Sequence, residues 1–306
     1  MNMNLPKAIK FLLSRTVILY LVAFAVAYFF LDHKAAKWHS YGATLSRLQP
    51  SYTYLTQYSD GRVAFDRKKL LAYRLFFTHL TAVMPTRYDG YAMLGFCQNE
   101  LGDVDAAIVS LKKAADAVPP FLWFNYGLGY VYYQKKDYER AAEYLNRAVV
   151  SNPELILKFI ATSKPYLDAI ATIPDFQKAF PERIQSGFRD SYKLLVLSYF
   201  HLQQYDRLLG AAQTAVNQKL DNDGFFYSYL GVGAYYARKF EPAVAYLQKS
   251  LEQKPDAAES YYYLGLVLKE MGNEPLAAGA LQKAKSLEDL KGTSYSDLKH
   301  IKLRIL

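Results

Sequence analysis

Two kinds of apolar pattern divide the 306 residues. From Thr16 to Leu31 the chain reads TVILYLVAFAVAYFFL, an apolar run that no charge interrupts. Later the apolar positions come in helix-length blocks. Turns separate them at Leu101-Gly102-Asp103, Lys136-Asp137-Tyr138, Lys239-Phe240-Glu241 and Met271-Gly272-Asn273. Pro119, Pro153 and Pro255 stop the second block of a pair, because proline cannot continue the helix before it. Lys68 to Pro85 reads as a lone second helix with Tyr73, Phe77 and Leu80 on its buried stripe, and its partner falls within 38–58. The pattern predicts an all-α chain: one long apolar helix, then helical hairpins.

The blocks repeat. A shift of 34 places Gly95 on Gly129, Leu94 on Leu128, Ala107 on Ala141, Leu111 on Leu145 and Pro119 on Pro153. The same shift places Gly231 on Gly265, Leu230 on Leu264, Ala243 on Ala277 and Leu247 on Leu281. In each hairpin the glycine lets the second helix cross closely, the preceding leucine fills the seam, and the small alanine accepts the approach from the other side. Gly127-Leu128-Gly129 is therefore a packing element, since a phosphate-cradling loop needs strand–loop–helix context and further glycines. Written LG…A…L…A…P, the register resembles the tetratricopeptide repeat family, whose period is 34 residues. That resemblance implies a right-handed solenoid of helical hairpins whose first helices line a concave face.

The expected organisation follows. Residues 1–37 form a cytoplasmic stub and a transmembrane anchor, its helix at about 11–31; 38–86 form a degenerate helical pair; 87–154 hold two clear repeats. Between 155 and 187 the pattern lapses at Pro165, Pro174 and Pro181, leaving room for one eroded repeat. A sharper reading makes this an interruption that docks a partner through Leu155-Ile156-Leu157 and Phe159-Ile160. Residues 188–290 hold three repeats, the first degenerate with Val196 at the glycine position and Leu208 at the alanine position. Residues 291–306, with Leu298, Ile301, Leu303 and Ile305 among charges, are expected to form a capping helix.

Thr16 to Leu31 spans about 24 Å as a helix, and extension back to Phe11 brings it to roughly 32 Å, enough to cross a bilayer. Ala25-Val26-Ala27 has the form of a signal-peptide cleavage site. Cleavage there leaves Tyr28-Phe29-Phe30-Leu31 as an apolar end in water, so an uncleaved anchor is the reading adopted. Lys7, Lys10 and Arg15 precede the run, which places the amino terminus in the cytoplasm and the repeats in the periplasm, at the inner (cytoplasmic) membrane.

Charge changes the picture little. Residues 1–37 hold five basic side chains against Asp32, which is +4 of the net +9, and the remainder is spread without a basic block. This is a solvated surface and not a nucleic-acid footprint. The single cysteine, Cys97, excludes an internal disulfide and reads as a small buried hydrophobe. None of the five histidines forms a His-x-x-x-His pair, and no nucleophile elbow or P-loop occurs, so the reading is of a protein that is not an enzyme and has no cofactor or metal.

The aromatic content remains, with 28 Tyr and 18 Phe. Mapping the family's groove-facing positions selects Trp123, Tyr126, Tyr130, Tyr133, Tyr229, Tyr235, Tyr236 and Tyr262 as a partner-binding groove. Phe96, Phe200 and Tyr263 occupy similar places and read as packing between repeats. Relatives that clamp a chaperone's carboxylate use Lys, Asn and Arg in the groove; this chain has Ala92, Phe96, Gly127, Asp190 and Leu194 there, so the implied partner is an apolar or aromatic-rich segment. The function expected is a membrane-anchored scaffold for other proteins, subunits of an envelope complex among them. The alternative is a permanent subunit of a membrane enzyme complex, its anchor packed on other transmembrane helices.

Overall fold

The computed structural model describes residues 50–118, 121–152 and 176–291, with Leu19, Tyr20, 22–24, Val26, Ala27, Glu154, Ile156, Ile301 and Leu303. Two units, Met1–Pro50 and Ser51–Leu306, divide it. In the first, the described residues 19–27 are helical, and Leu19, Tyr20, Val22, Phe24 and Val26 are all exposed. Most of the expected 11–31 anchor lies outside the described residues. Among the described residues no helix is long and apolar enough to cross a membrane.

The second unit is built of helices, with no strand among the described residues. Residues 51–59 (α1) and Arg67–Val83 (α2) form the first pair. Asp66 caps α2, its side chain accepting from the Lys69 N–H at 3.1 Å. Five hairpins follow: Tyr88–Glu100 (α3) with Val104–Ala117 (α4), Leu122–Gln134 (α5) with Tyr138–Val149 (α6), Phe176–His201 (α7) with Tyr205–Asn217 (α8), Phe225–Tyr236 (α9) with Phe240–Gln253 (α10), and Ala258–Glu270 (α11) with Glu274–Lys291 (α12).

Four hairpins close on one steric device. A Cβ on Gly95, Gly129, Gly231 or Gly265 would stand 2.6, 2.6, 2.5 or 2.6 Å from Cγ of Leu111, Leu145, Leu247 or Leu281. On its other side the same Cβ would lie 3.1 to 3.3 Å from the carbonyl oxygen of Ala107, Ala141, Ala243 or Ala277. The glycine hydrogen thus occupies a slot that no side chain fits, and the alanine brings the second helix's backbone into contact. Of the preceding leucines, Leu94, Leu128 and Leu230 are buried and Leu264 is half-buried. The α7/α8 hairpin lacks the glycine; Val196 and Leu208 hold the two positions and both are fully buried.

Every hairpin turn reverses through one left-handed residue: Gly102, Lys136, Gln203, Arg238 and Gly272. At Gln203 the paired backbone bonds of a Schellman stop form, Gln203 N–H to Phe200 C=O at 3.0 Å and Gln204 N–H to Tyr199 C=O at 2.9 Å. Only two of the five are glycine, so three side chains sit in a conformation that L-residues resist. Gln203→Gly is expected to stabilise the array by about 0.5–1 kcal/mol, the relief of left-handed strain less the entropy that glycine regains on unfolding. Urea unfolding of the two proteins measures it.

Each helix packs on the next, and the first helices touch in succession: α3 with α5, α5 with α7, α7 with α9, α9 with α11. They therefore form one inner face. Across the interruption α5 and α6 both pack directly on α7. Ile156, expected among the exposed apolar residues, is fully buried, and 157–175 lie outside the described residues. Helix α7 is also longer than the prolines suggested, since it runs through Pro181. Proline is tolerated there because it costs one hydrogen bond near the amino end of a helix that neighbouring packing supports.

The capping helix is a second difference. Helix α12 itself reaches Lys291, whereas Ile301 and Leu303 are non-helical and buried, each 5% exposed. The rest of the expected cap lies outside the described residues. Ile301-Lys302-Leu303-Arg304-Ile305 alternates with period two, which suits an extended chain with one apolar side.

Candidate protein-binding surface

The inner face is aromatic because each first helix directs its largest side chains toward the neighbouring first helix. In α5 every residue from Leu122 to Tyr133 is buried. This corrects the expectation for half of the groove. Trp123 is 2% exposed, its ring 6.0 Å from Phe180 of α7. Gly187 of α7 brings that helix against Leu122 and Trp123, its would-be Cβ 3.0 and 3.3 Å from their atoms. Tyr126 is fully buried, with its ring 6.3 Å from that of Tyr130. Tyr130 is 8% exposed, accepts from Gln134 Nε2 at 3.1 Å, and is pushed up to about 12 by burial first and the Glu100 charge second. Tyr133 shares a 3.1 Å hydrogen bond with His201 and packs on Tyr138, and burial raises its hydroxyl well above the usual tyrosine value.

The same holds for Tyr229, which is fully buried. Its hydroxyl donates to Glu259 at 3.1 Å, and burial, then the Glu259 charge, keeps it protonated. The reason for these reversals is coverage: Phe180 near the amino end of α7 lies against Trp123, Leu303 lies at Gly127 beside Tyr130, and Phe200, Phe225 and Glu259 surround Tyr229. Phe96 and Tyr263 pack as expected, at 2% and 7% exposure, and Phe200 is half-buried in the core around Val232 and Leu247.

Tyr236 and Tyr262 are different. They are 42% and 48% exposed, and Tyr235 beside them is half-buried. Tyr236 stacks on Tyr205, the rings 4.2 Å apart and 8° from parallel. Tyr263 supports both from beneath, 6.3 Å from Tyr236 and 5.3 Å from Tyr262. Gln203, Gln204, Asp206 and Arg207 border a hollow of about 540 Å³ next to the stacked pair. Here large rings are held rigid on one side and left to solvent on the other, the arrangement that contributes most at protein interfaces. Sequence spacing did not pick out Tyr205, which lies at the start of a second helix; its place one residue past a hairpin turn was the available signal.

Chemistry is not concentrated anywhere comparable. Cys97 is fully buried and its thiol is pushed far up by burial, so it is inert packing. Among the described residues no group of His, Cys, Asp or Glu is placed to hold a metal ion.

Comparisons with known proteins bear on the fold. A search of curated proteins finds no match. PilF of Pseudomonas aeruginosa superposes with a TM-score of 0.52 at 15% identity, over 82% of this chain and 96% of that one. YrrB, described as a TPR protein with an unusual peptide-binding site, gives 0.51 at 18% identity, over 72% and 95%. A crystal structure of MamA gives 0.50 at 21% identity, over 68% and 96%. Tetratricopeptide repeat models match residues 84–156 and 230–289. Those two stretches contain all four glycine–leucine closures, and over both the chain carries tetratricopeptide repeats.

Proposed function

We propose that this protein is a non-enzymatic scaffold that binds other proteins on the inner face of its repeats, and that it does so at a membrane. The observation that carries the binding surface is the aromatic set on the carboxyl-terminal hairpins, the exposed Tyr236 and Tyr262 with half-buried Tyr205 stacked on the first, held in place by Tyr263. The anchor draws support from the described residues of 19–27, exposed on all sides of a helix that carries no charge. A helix apolar all round finds its partner in lipid or in other membrane helices. The basic residues before it argue for an amino terminus in the cytoplasm and repeats in the periplasm, where the scaffold recruits or stabilises subunits of an envelope complex. Tethering to the membrane raises the effective concentration of such subunits, so weak individual contacts suffice.

The test is purification from membranes in mild detergent. Tyr236→Ala/Tyr262→Ala is expected to lose co-purifying subunits while its unfolding midpoint stays within about 0.5–1 kcal/mol of the parent, because both rings are half in solvent. An unchanged set of subunits counts against this surface. A phosphatase reporter fused to the carboxyl terminus, active only in the periplasm, decides the topology.

A further inference from the structure

Part of the inner face is occupied by the chain itself. Leu303 lies 244 positions from Ser59, yet its carbonyl accepts from Ser59 Oγ at 3.4 Å. The Leu303 backbone also bears on the Tyr130 hydroxyl, whose pKa it lowers against the upward push of burial. Its side chain is seated over Gly127: Leu303 Cδ1 lies 3.6 Å from the position a Cβ would take there. Tyr58, Val63, Phe96 and Glu100 complete the walls, around about 310 Å³ of space that remains beside the leucine. Tyr58 donates to Glu100 at 2.6 Å, which fixes the carboxylate in the wall.

Each contact has a distinct consequence. The contacts to the Leu303 backbone hold the residue by its main chain and ignore side-chain identity. The seat over Gly127 supplies the selectivity, since it takes a branched apolar side chain and would narrow if Gly127 carried any side chain. In sequence Leu303 stands between Lys302 and Arg304, and the wall beside it holds Glu100. An apolar seat with Glu100 in its wall suits an occupant in which apolar and basic residues alternate, the pattern that the sequence of 301–305 itself has.

We propose that this hollow between α1, α3 and α5 is a peptide-binding site for extended segments of apolar–basic–apolar alternation. Leu303, with Ile301 buried two residues before it, is its resident occupant, which a partner segment must displace. The site extends the scaffold reading to a second place on the inner face, and it depends neither on the anchor nor on the Tyr236/Tyr262 surface. Tethered in the same chain, the tail is present at an effective concentration of about millimolar, enough to hold off a micromolar competitor.

The experiment uses the full-length protein in mild detergent and a fluorescent peptide of residues 298–306, LKHIKLRIL. The parent is expected to bind it weakly. Leu303→Asp, which cannot seat its own tail, should bind the peptide about tenfold tighter or more. Leu303→Ala, a milder change kept for the case in which aspartate perturbs folding, should move the affinity in the same direction. Adding Gly127→Leu to either variant should abolish the gain. Equal affinity in the parent and both Leu303 variants overturns the proposal, and so does tight binding that survives Gly127→Leu. Light scattering decides whether the tail acts within its own chain: a parent that is dimeric only while Leu303 is intact overturns the intramolecular assignment. Loss of subunits from the Tyr236/Tyr262 variant is a separate readout, so either idea can fail alone.

Discussion

Gly129→Ala is expected to lower the stability of the array by about 2 kcal/mol, while Gly279→Ala, the same substitution in another helix, raises it by about 0.5–1 kcal/mol. The difference lies in what the new methyl meets. At Gly129 it would stand 2.6 Å from Leu145 Cγ, with the Ala141 carbonyl 3.3 Å away on its other side. Leu145 is fully buried, so the leucine cannot swing clear, and the contact is to its branch carbon rather than to a flexible end. The helices must part, at the upper end of the ~1–3 kcal/mol cost of overpacking. Alanine's better helix propensity returns about 1 kcal/mol. At Gly279 nothing lies within 4 Å of the added methyl, and only the propensity gain remains. Gly210, in α8, is open in the same way and serves as a second control. Denaturant titrations of the three variants provide the measurement. A Gly129→Ala protein as stable as its parent would mean that the glycine–leucine slot does not close the hairpins.

The position of the damage matters as well. In a stack where each hairpin touches only its neighbours, stability is close to a sum of local terms. Gly265→Ala loosens the last hairpin and should fray α11 and α12 alone. Gly129→Ala loosens a central one, on which α4 and α7 both rest.

These closures were legible in the sequence because they are local. Glycine, alanine and leucine recur at fixed offsets within one hairpin, so a 34-residue shift aligns the partners of a contact as well as the residues. Exposure of the aromatic residues was not legible in that way. Whether Tyr130 faces a partner or the protein interior depends on Leu303, and whether Trp123 does depends on Phe180. Neither contact repeats, and neither follows from spacing within a hairpin. The prolines between 165 and 181 invited a reading of short helices, yet Pro181 sits inside α7, where packing outweighs propensity. Ile301-Lys302-Leu303 alternates with period two, a signal for extended chain that competes with the apolar-and-charged pattern of a capping helix.

Burial therefore separates tyrosines that sequence pattern groups together, and two of them on α9 make the separation measurable. Tyr229→Ala is expected to cost about 3–5 kcal/mol, the range for emptying a buried aromatic site. Its ring lies 4.7 Å from Phe225 and 5.7 Å from Phe200, so its removal opens a cavity between them. Tyr229→Phe keeps the ring and removes only the 3.1 Å bond to Glu259, which should cost about 1.5–3 kcal/mol, as for hydrogen bonds to charged groups. Tyr236→Ala, seven residues on in the same helix, gives up an exposed stack on Tyr205 and should cost no more than about 0.5–1 kcal/mol. The order of the three midpoints distinguishes two surfaces. With Tyr229→Ala far below Tyr236→Ala, the inner face is closed over Tyr229 and open at Tyr236, and only the second ring can meet a partner without local unfolding. Equal midpoints for the two alanine variants would place Tyr229 in solvent, return it to the groove, and remove the reason for assigning recognition to Tyr236 and Tyr262.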